Sequence, residues 1–239
     1  MLTFLRKIRK TLIESGSTRK YLFYAIGEIA LVVIGILIAL QINNWNEGKK
    51  DRIKESKVLE QIAKTIVSNS DHFTSSITKM KRNYERTDEV ISIIEDKRPY
   101  ENSMNQLFHS VRVVQRLRVS STGYEELKNT GFDILQSASL KEDIVNLFEF
   151  TYSQTDKILN EVQLYDDHFT KFIIDNFLEV EHDLLKPVTY NQIINSHFYY
   201  SSLLHIRSIR YWRILLLEKA KEENSRTLRL IKDELGEED

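Results

Sequence analysis

Residues 21–42 read YLFYAIGEIALVVIGILIALQI, a stretch that an ordinary soluble helix cannot explain. Its only charged side chain is that of Glu28, and Gln41 carries its only other strongly polar group. As a helix, these 22 residues extend over roughly 33 Å at about 1.5 Å per residue, which is enough to cross a hydrocarbon core of about 30 Å. The sequence therefore predicts one transmembrane helix and a single-pass membrane protein.

The apolar stretch is predicted to be an uncleaved anchor. A cleaved signal peptide has a shorter apolar run that ends at a small-residue cleavage site. This run is longer, and Gln41-Ile42-Asn43-Asn44 stand at its end instead. Basic residues flank both ends, with six before residue 21 and five within residues 43–57. Because cytoplasmic flanks carry an excess of Lys and Arg, this narrow difference favours a cytoplasmic N-terminus and an extracytoplasmic C-terminal domain.

Aromatic side chains mark both ends of the predicted span. Tyr21 and Tyr24 stand at one end and Trp45 at the other, where amphipathic rings favour the membrane–water interface. The head, residues 1–20, is basic and repeats apolar residues at helical spacing. Two interpretations of this head are open: a short amphipathic helix lying on anionic lipid, or a disordered basic tail.

Glu28 is the candidate functional residue of the span. A carboxylate deep in hydrocarbon is costly, so by default it indicates a site. One interpretation is a proton-carrying group or a partner for a basic residue on another membrane helix. The other is a protonated carboxyl near the headgroups that bonds locally or to a neighbouring copy. Gly27, Gly35 and Ala39 are expected to share one helix face, at spacings of eight and four residues, and such small residues allow close helix–helix contact.

Composition indicates a folded, helix-rich body behind the anchor. Of 239 residues, 41% are hydrophobic and 29% charged, and only seven are glycine and two proline. Residues 1–49 carry seven Lys/Arg and three Asp/Glu, a net charge of +4, whereas the remainder carries 27 and 32, a net charge of −5. This balance favours an anionic membrane surface over nucleic acid as a partner. The absence of cysteine excludes disulfides, thiol catalysis and thiolate metal sites.

Glycine and proline divide the body at Pro99, at Gly123 with Gly131, and at Pro187. Before Pro99, apolar residues recur at steps of three, four or seven, which predicts a long amphipathic helix that could continue from the span. A shorter helix is predicted over residues 104–117.

Two sequences have the Ser/Thr-x-x-Glu pattern of a capping box, Thr122-Gly-Tyr-Glu125 and Ser139-Leu-Lys-Glu142. The first is expected to open a short helix that ends at Gly131. The second precedes the most regular stripe of the chain, which advances in threes and fours like a coiled-coil seam. The stripe comprises Ile144, Phe148, Thr151, Thr155, Ile158, Val162, Tyr165, Phe169, Phe172 and Asn176. No segment shows sustained two-residue alternation, so no sheet is predicted.

The predicted fold class is all-α, with an N-terminal transmembrane helix followed by an antiparallel long-helix bundle or coiled-coil-like domain. The predicted organisation is a cytoplasmic basic head (1–20), the transmembrane helix (21–42), a juxtamembrane helical linker (43–57), an extracytoplasmic helical bundle (58–235) and a charged tail (236–239).

Four stretches together resemble a known family. They are FLRKIRK at 4–10, KYLFYAIGEI at 20–29, VIGILIALQINNWNE at 33–47 and YEELKNTG at 124–131. The family they resemble carries a domain-of-unknown-function label and consists of single-pass membrane proteins of Gram-negative bacteria. The resemblance implies the bacterial inner membrane, with the C-terminal domain in the periplasm. It implies no catalytic or binding residue.

The motifs of known chemistry are largely missing from the sequence. A di-iron centre in a bundle uses two Glu-x-x-His pairs, and only Glu179-Val-Glu-His182 has that spacing. There is no HExxH, Gly-rich phosphate loop or G-x-S-x-G. Arginines within 112–118 and 207–213 are expected to pair with carboxylates between helices rather than to bind nucleic acid. No metal, cofactor or catalytic residue is predicted, and a small-ligand pocket between helices is left open.

The predicted function is interaction: a membrane-anchored scaffold or sensor that is not an enzyme. Its expected partners are the lipid bilayer and either a second copy of the chain or another membrane protein. The alternative is a subunit of an energised membrane transport or motor complex that uses Glu28 within the membrane.

Overall fold

A computed structural model describes residues 18–160 and 164–237, most of which are helical. The chain divides into two units, residues 1–55 and residues 56–239. Most of the predicted basic head and the last two residues of the predicted tail lie outside the described residues.

The first helix, α1, spans Thr18–Glu95 and is 78 residues long. The backbone conformation of the residues after Glu95 explains why α1 ends there. Lys97 has a φ of +50°, and the N–H of Arg98 donates to the carbonyl of Ile93 at 3.1 Å, as in a Schellman motif. Pro99 follows at once, where a helix cannot continue. The predicted break at Pro99 is confirmed.

Short elements follow in the middle of the described chain. They are α2 (Met104–Arg112), α3 (Thr122–Thr130), a 3₁₀ turn (Phe132–Ile134), α4 (Ala138–Val145), a π-helical segment (Asn146–Tyr152) and α5 (Ser153–Asn160). As predicted, α3 ends at Gly131, whose φ of +99° favours glycine.

The two predicted capping boxes are wrong in detail. Ser137, not Ser139, opens α4, because its hydroxyl accepts a hydrogen bond from the N–H of Leu140 at 3.3 Å. The residue that precedes α3 is Ser121, and its side chain makes no cap bond. The N–H of Gly123 donates instead to the hydroxyl of Thr65 in α1, at 3.1 Å. A neighbouring helix therefore satisfies a donor that a local cap would otherwise serve.

The predicted seam from Ile144 to Asn176 is interrupted. The π-helical segment places more residues in each turn than an α-helix does, so the buried face shifts. After Phe148 the buried positions are Tyr152, Thr155 and Leu159, whereas Thr151 and Ile158 are only partly buried. Residues 164–166 are not helical, so the seam is also interrupted before the next helix, and Val162 lies outside the described residues.

The rest of the described chain contains α6 (Asp167–Asn176), β1 (Phe177–Glu181), β2 (Leu184–Pro187), α7 (Tyr190–Ile194) and α8 (His197–Leu235). The prediction of no sheet is wrong, since β1 and β2 pair antiparallel with Phe177 opposite Pro187. Residues 178–181 alternate apolar and acidic side chains, but over only four residues, and only Phe177 of β1 is buried. Burial of Phe177 and Leu185 in a shared core stabilises the hairpin instead.

The second unit has two hydrophobic cores. The first core packs α1, α3, α4, the π-helical segment and α8, and includes Ile62, Phe73, Leu127, Ile144 and Leu217. The second core packs the end of α1 with α2, α6, the hairpin and α8, and includes Ile93, Phe108, Phe169, Phe177 and Tyr199. Both cores contain residues of α1 and α8, so these two helices stabilise the whole second unit.

Arg210 of α8 is buried, with 4% of its surface exposed. Its guanidinium donates to the carbonyls of Asn83, Ser110, Val111 and Val113 at 2.6, 3.0, 2.9 and 3.1 Å, and to the hydroxyl of Thr87. Three of these carbonyls lie at the C-terminal end of α2, where helix carbonyls lack intrahelical partners and a cation is favoured. Consistent with this, α2 ends at Arg112 rather than at residue 117 as predicted.

α3 approaches the backbone of α1 closely at Gly123. A Cβ atom at this position would lie 2.6 Å from the carbonyl oxygen of Gln61 and 2.7 Å from the nitrogen of Ile62. Because both are backbone atoms of a helix, a side chain can be accommodated only if α3 moves away from α1.

Replacing Arg210 with Lys is expected to lower the free energy of unfolding by about 3 kcal/mol or more, because an ammonium group leaves several buried carbonyls unpaired. The matched control is Arg207→Lys, since Arg207 lies on the same helix and makes a part-exposed ion pair with Asp88 at 2.9 Å. The control should cost about 1 kcal/mol or less. Urea titration of the full chain in detergent compares the two, and equal losses would contradict the role of Arg210.

Gly123→Ala is expected to lower the free energy of unfolding by about 1–3 kcal/mol through overpacking against α1. Gly48→Ala is the control, because nothing lies within 4 Å of the added Cβ and alanine favours a helix interior by about 1 kcal/mol. Thermal unfolding followed by circular dichroism measures both variants. A Gly123→Ala variant that melts no lower than the parent would contradict the close approach.

Candidate functional site

The first part of α1 has the length and composition of a membrane-crossing helix. An 18-residue window reaches a mean hydropathy of 2.5, and none of it is buried within the described structure. Its large apolar side chains are exposed, with Leu31 at 73%. Contiguous exposed apolar surface of this extent marks an interaction with membrane or protein, so this surface is one candidate site.

Glu28, Gly35 and Ala39 lie on one line of α1. At about 100° per residue, Gly35 and Ala39 each lie within roughly 20° of Glu28 around the helix axis, whereas Gly27 lies roughly 100° away. A Cβ added at Gly27 or Gly35 would meet nothing within 4 Å. The helix geometry therefore groups Glu28 with two of the three small residues named from the sequence.

A groove of about 350 Å³ runs beside the carboxyl group of Glu28. Its walls are formed by Ala25, Ile29, Val32 and Val33 together with Glu28. Glu28 is exposed on α1, and its neighbours in this groove are aliphatic side chains that offer no hydrogen bond to it.

The predicted interfacial aromatics flank this segment. Trp45 is 72% exposed. Asn43 and Glu47 lie two residues to either side of it, and the side-chain amide of Asn43 donates to the carboxylate of Glu47 at 3.1 Å. Tyr21 and Tyr24 lie within α1, but their side chains lie outside the described set. An interfacial location for all three aromatics stays a prediction.

The Glu179–His182 pair lies on the β1–β2 hairpin, near His109 of α2. Burial, and next the charge of Arg112, lowers the pKa of His109, while Asp183 and Glu179 act in the opposite direction. Glu179 itself pairs with Arg112 at 3.6 Å. Across residues 18–160 and 164–237, no group of three or more His, Asp or Glu side chains is arranged to hold a metal ion.

A polar cavity of about 220 Å³ lies beside Tyr124. Each of its carboxylates already has a partner: Glu125 pairs with Lys128 at 2.7 Å, Glu149 bonds to Tyr124, and Asp156 accepts from Asn160 at 2.7 Å. Burial and the bond to Glu149 raise the pKa of Tyr124 to about 12. These internal bonds give the cavity a structural role.

A larger cavity, of about 440 Å³, lies between the start of α6 and the first half of α8. Asp166 and Phe169 contribute from one side, and Phe198, Ser201 and His205 contribute from α8. The α8 residues recur at helical spacing and share one face, but they belong to no recognisable motif. This is the site that sequence reasoning missed.

A family model described as a family of unknown function, DUF6090, matches residues 28–177. The matched range begins at Glu28, includes Gly35, Ala39 and Trp45, and ends at the first residue of β1. Comparison with curated proteins and with solved structures found no match. Since the matched range covers more than half of the 239 residues, the chain belongs to this family of unknown function.

Proposed function

We propose that this chain is a membrane-anchored helical interaction protein, a scaffold or a sensor, with no catalytic activity of its own. The observation that carries the proposal is the exposed apolar surface of α1 with Glu28, Gly35 and Ala39 on one line. No other described surface combines this extent of exposed apolar side chains with a charged group.

The side chains of Glu28, Gly35 and Ala39 favour another helix as the partner. A carboxyl group in hydrocarbon needs a hydrogen-bond or ionic partner, and the aliphatic neighbours of Glu28 supply none. Small residues such as Gly35 and Ala39 allow two helix backbones to approach closely. A second copy of the chain, or another membrane protein, can satisfy both conditions at once.

The body serves in this proposal as an antiparallel long-helix bundle that presents a rigid surface. Hydrogen bonds between its two longest helices support this arrangement. Along α8, Tyr200, Arg210 and Asn224 bond in turn to Glu95, Asn83 and Ile66 of α1, so the order of partners is reversed.

We further propose that the chain lies in the bacterial inner membrane, with its N-terminus in the cytoplasm and residues 58–235 in the periplasm. The support is the excess of basic residues before the span, six against five after it.

The charge of Glu28 also supports a second candidate function, a subunit of an energised transport or motor complex, because Glu28 is the only charged residue in the apolar stretch. The two candidates differ in what they require of the side chain. A proton carrier needs an ionisable group, whereas a helix contact needs only a hydrogen-bonding group.

Cysteine crosslinking in intact membranes tests the interaction, since the chain has no native cysteine. A photocrosslinker attached to Gly35→Cys should trap a second copy or another membrane protein. Leu37→Cys is the matched control, because residue 37 lies roughly 180° from Glu28 around the helix, and it should give several-fold less product. No product at residue 35, or equal yields at both positions, would contradict the proposed contact face.

Changes at Glu28 then separate the two candidates. In the Gly35→Cys background, Glu28→Ala should weaken association by about 3- to 30-fold, which is the range of affinity that one interhelical hydrogen bond contributes. Glu28→Gln should retain association and cellular phenotype if contact alone matters. Loss of the phenotype in Glu28→Gln with crosslinking intact would favour the energised subunit.

An alkaline phosphatase reporter fused after Asp239 tests the orientation, since the enzyme is active only outside the cytoplasm. We expect activity in this fusion. A fusion that is expressed but inactive would overturn the proposed orientation.

A further inference from the structure

The cavity between α6 and α8 has the size and lining of a ligand site. Its volume, about 440 Å³, falls within the range of about 300–1,000 Å³ typical of small-molecule pockets. Leu164, Phe169 and Ile206 form an apolar wall, and all three are almost fully buried. The rings of Tyr165 and Phe198 complete the apolar part.

Most polar groups of the lining are already used within the protein. The hydroxyl of Ser202 donates to the carbonyl of Phe198 at 2.9 Å, and the hydroxyl of Tyr165 donates to the carbonyl of Arg112 at 3.1 Å. These two hydroxyls are therefore occupied within the protein.

Asp166 and His205 are the exceptions. The ring of His205 lines the cavity and has no hydrogen-bond partner within the described residues. The side chain of Asp166 is exposed at the cavity edge, and its Oδ1 accepts a hydrogen bond from the N–H of Phe169 at 2.8 Å and caps α6. Within the described residues, Oδ2 has no hydrogen bond and Asp166 has no ion pair. Asp166 is also the one Asp, Glu, Lys or Arg among the described residues that line the cavity.

A carboxylate at the edge of an apolar, aromatic cavity selects for positive charge. The carboxylate oxygen attracts a cationic donor, aromatic faces attract cations, and the apolar wall accepts a hydrocarbon body. A negatively charged ligand would be repelled by Asp166, and the described lining contains no Lys or Arg to offset that repulsion.

We infer that this cavity binds a small organic monocation, a protonated amine with an apolar or aromatic body. The ammonium group donates to Oδ2 of Asp166, and the body lies against Leu164, Phe169 and Ile206. This inference is separate from the proposed membrane contact, because every residue involved lies within residues 56–239.

Calorimetric titration of the full chain in detergent with 2-phenylethylamine tests the inference. The neutral 2-phenylethanol and the anionic phenylacetate serve as matched ligands. We expect the amine to bind about tenfold more tightly than the alcohol, as expected for one charge-assisted hydrogen bond, and phenylacetate to bind most weakly. Phenylacetate binding as tightly as the amine, or no measurable binding of the amine, would overturn the inference.

Asp166→Asn provides the decisive variant. Asparagine caps a helix about as well as aspartate does, so α6 is retained while the charge is removed. Amine affinity should fall about tenfold to the level of the alcohol, with alcohol affinity unchanged. The control is Asp175→Asn in the same helix, since Asp175 is exposed and pairs with Lys171 at 2.9 Å. It should change neither affinity, and because all variants share one detergent, partition of the amine into micelles cancels.

Phe198→Ala distinguishes cavity binding from attraction to surface charge. It should weaken the amine and the alcohol alike, because both lose the same ring contact. An amine affinity that depends on Asp166 but not on Phe198 would indicate binding at the protein surface, and this too would overturn the inference.

Discussion

The buried guanidinium of Arg210 joins α8 to α1 and to the end of α2 in one set of hydrogen bonds. Burial, and next the nearby Arg213, lowers its pKa to about 10, so it remains a cation near neutral pH. Its partners are carbonyl and hydroxyl oxygens rather than a carboxylate. The negative end of α2 therefore supplies the compensation that buried charges require. The two cores depend on this arrangement, because both use α1 and α8.

Local signals in the sequence predict much of the fold. Pro99, Gly131 and the apolar run from residue 21 mark helix ends and the span through backbone and solvation chemistry, which act over a few residues. The β1–β2 hairpin and the position of Arg210 arise from packing between segments distant in sequence. The expected pairing of arginines with carboxylates holds for Arg207 with Asp88 but not for Arg210.

The two candidate sites also differ in how far the sequence predicts them. Glu28 and its small neighbours lie on one helix, so residue spacing alone predicts their shared line. The cavity beside Asp166 forms where α6 meets α8, about 30 residues apart along the chain. Its polar residues belong to no distinctive sequence pattern, and they form a candidate site only because the fold brings the two helices together. No residue pattern within either helix could have predicted that convergence.

The pairing of α1 with α8 also sets the order in which this protein can fold. Asn224 bonds to a carbonyl 158 residues earlier, and Tyr200 to a carboxylate 105 residues earlier. During synthesis the apolar face of α1 emerges long before the helix that covers it. Contacts at such separations slow folding, because a long loop must close before they form. The nascent chain therefore has to be kept from aggregating until α8 is complete, and loss of α8 would leave both cores open.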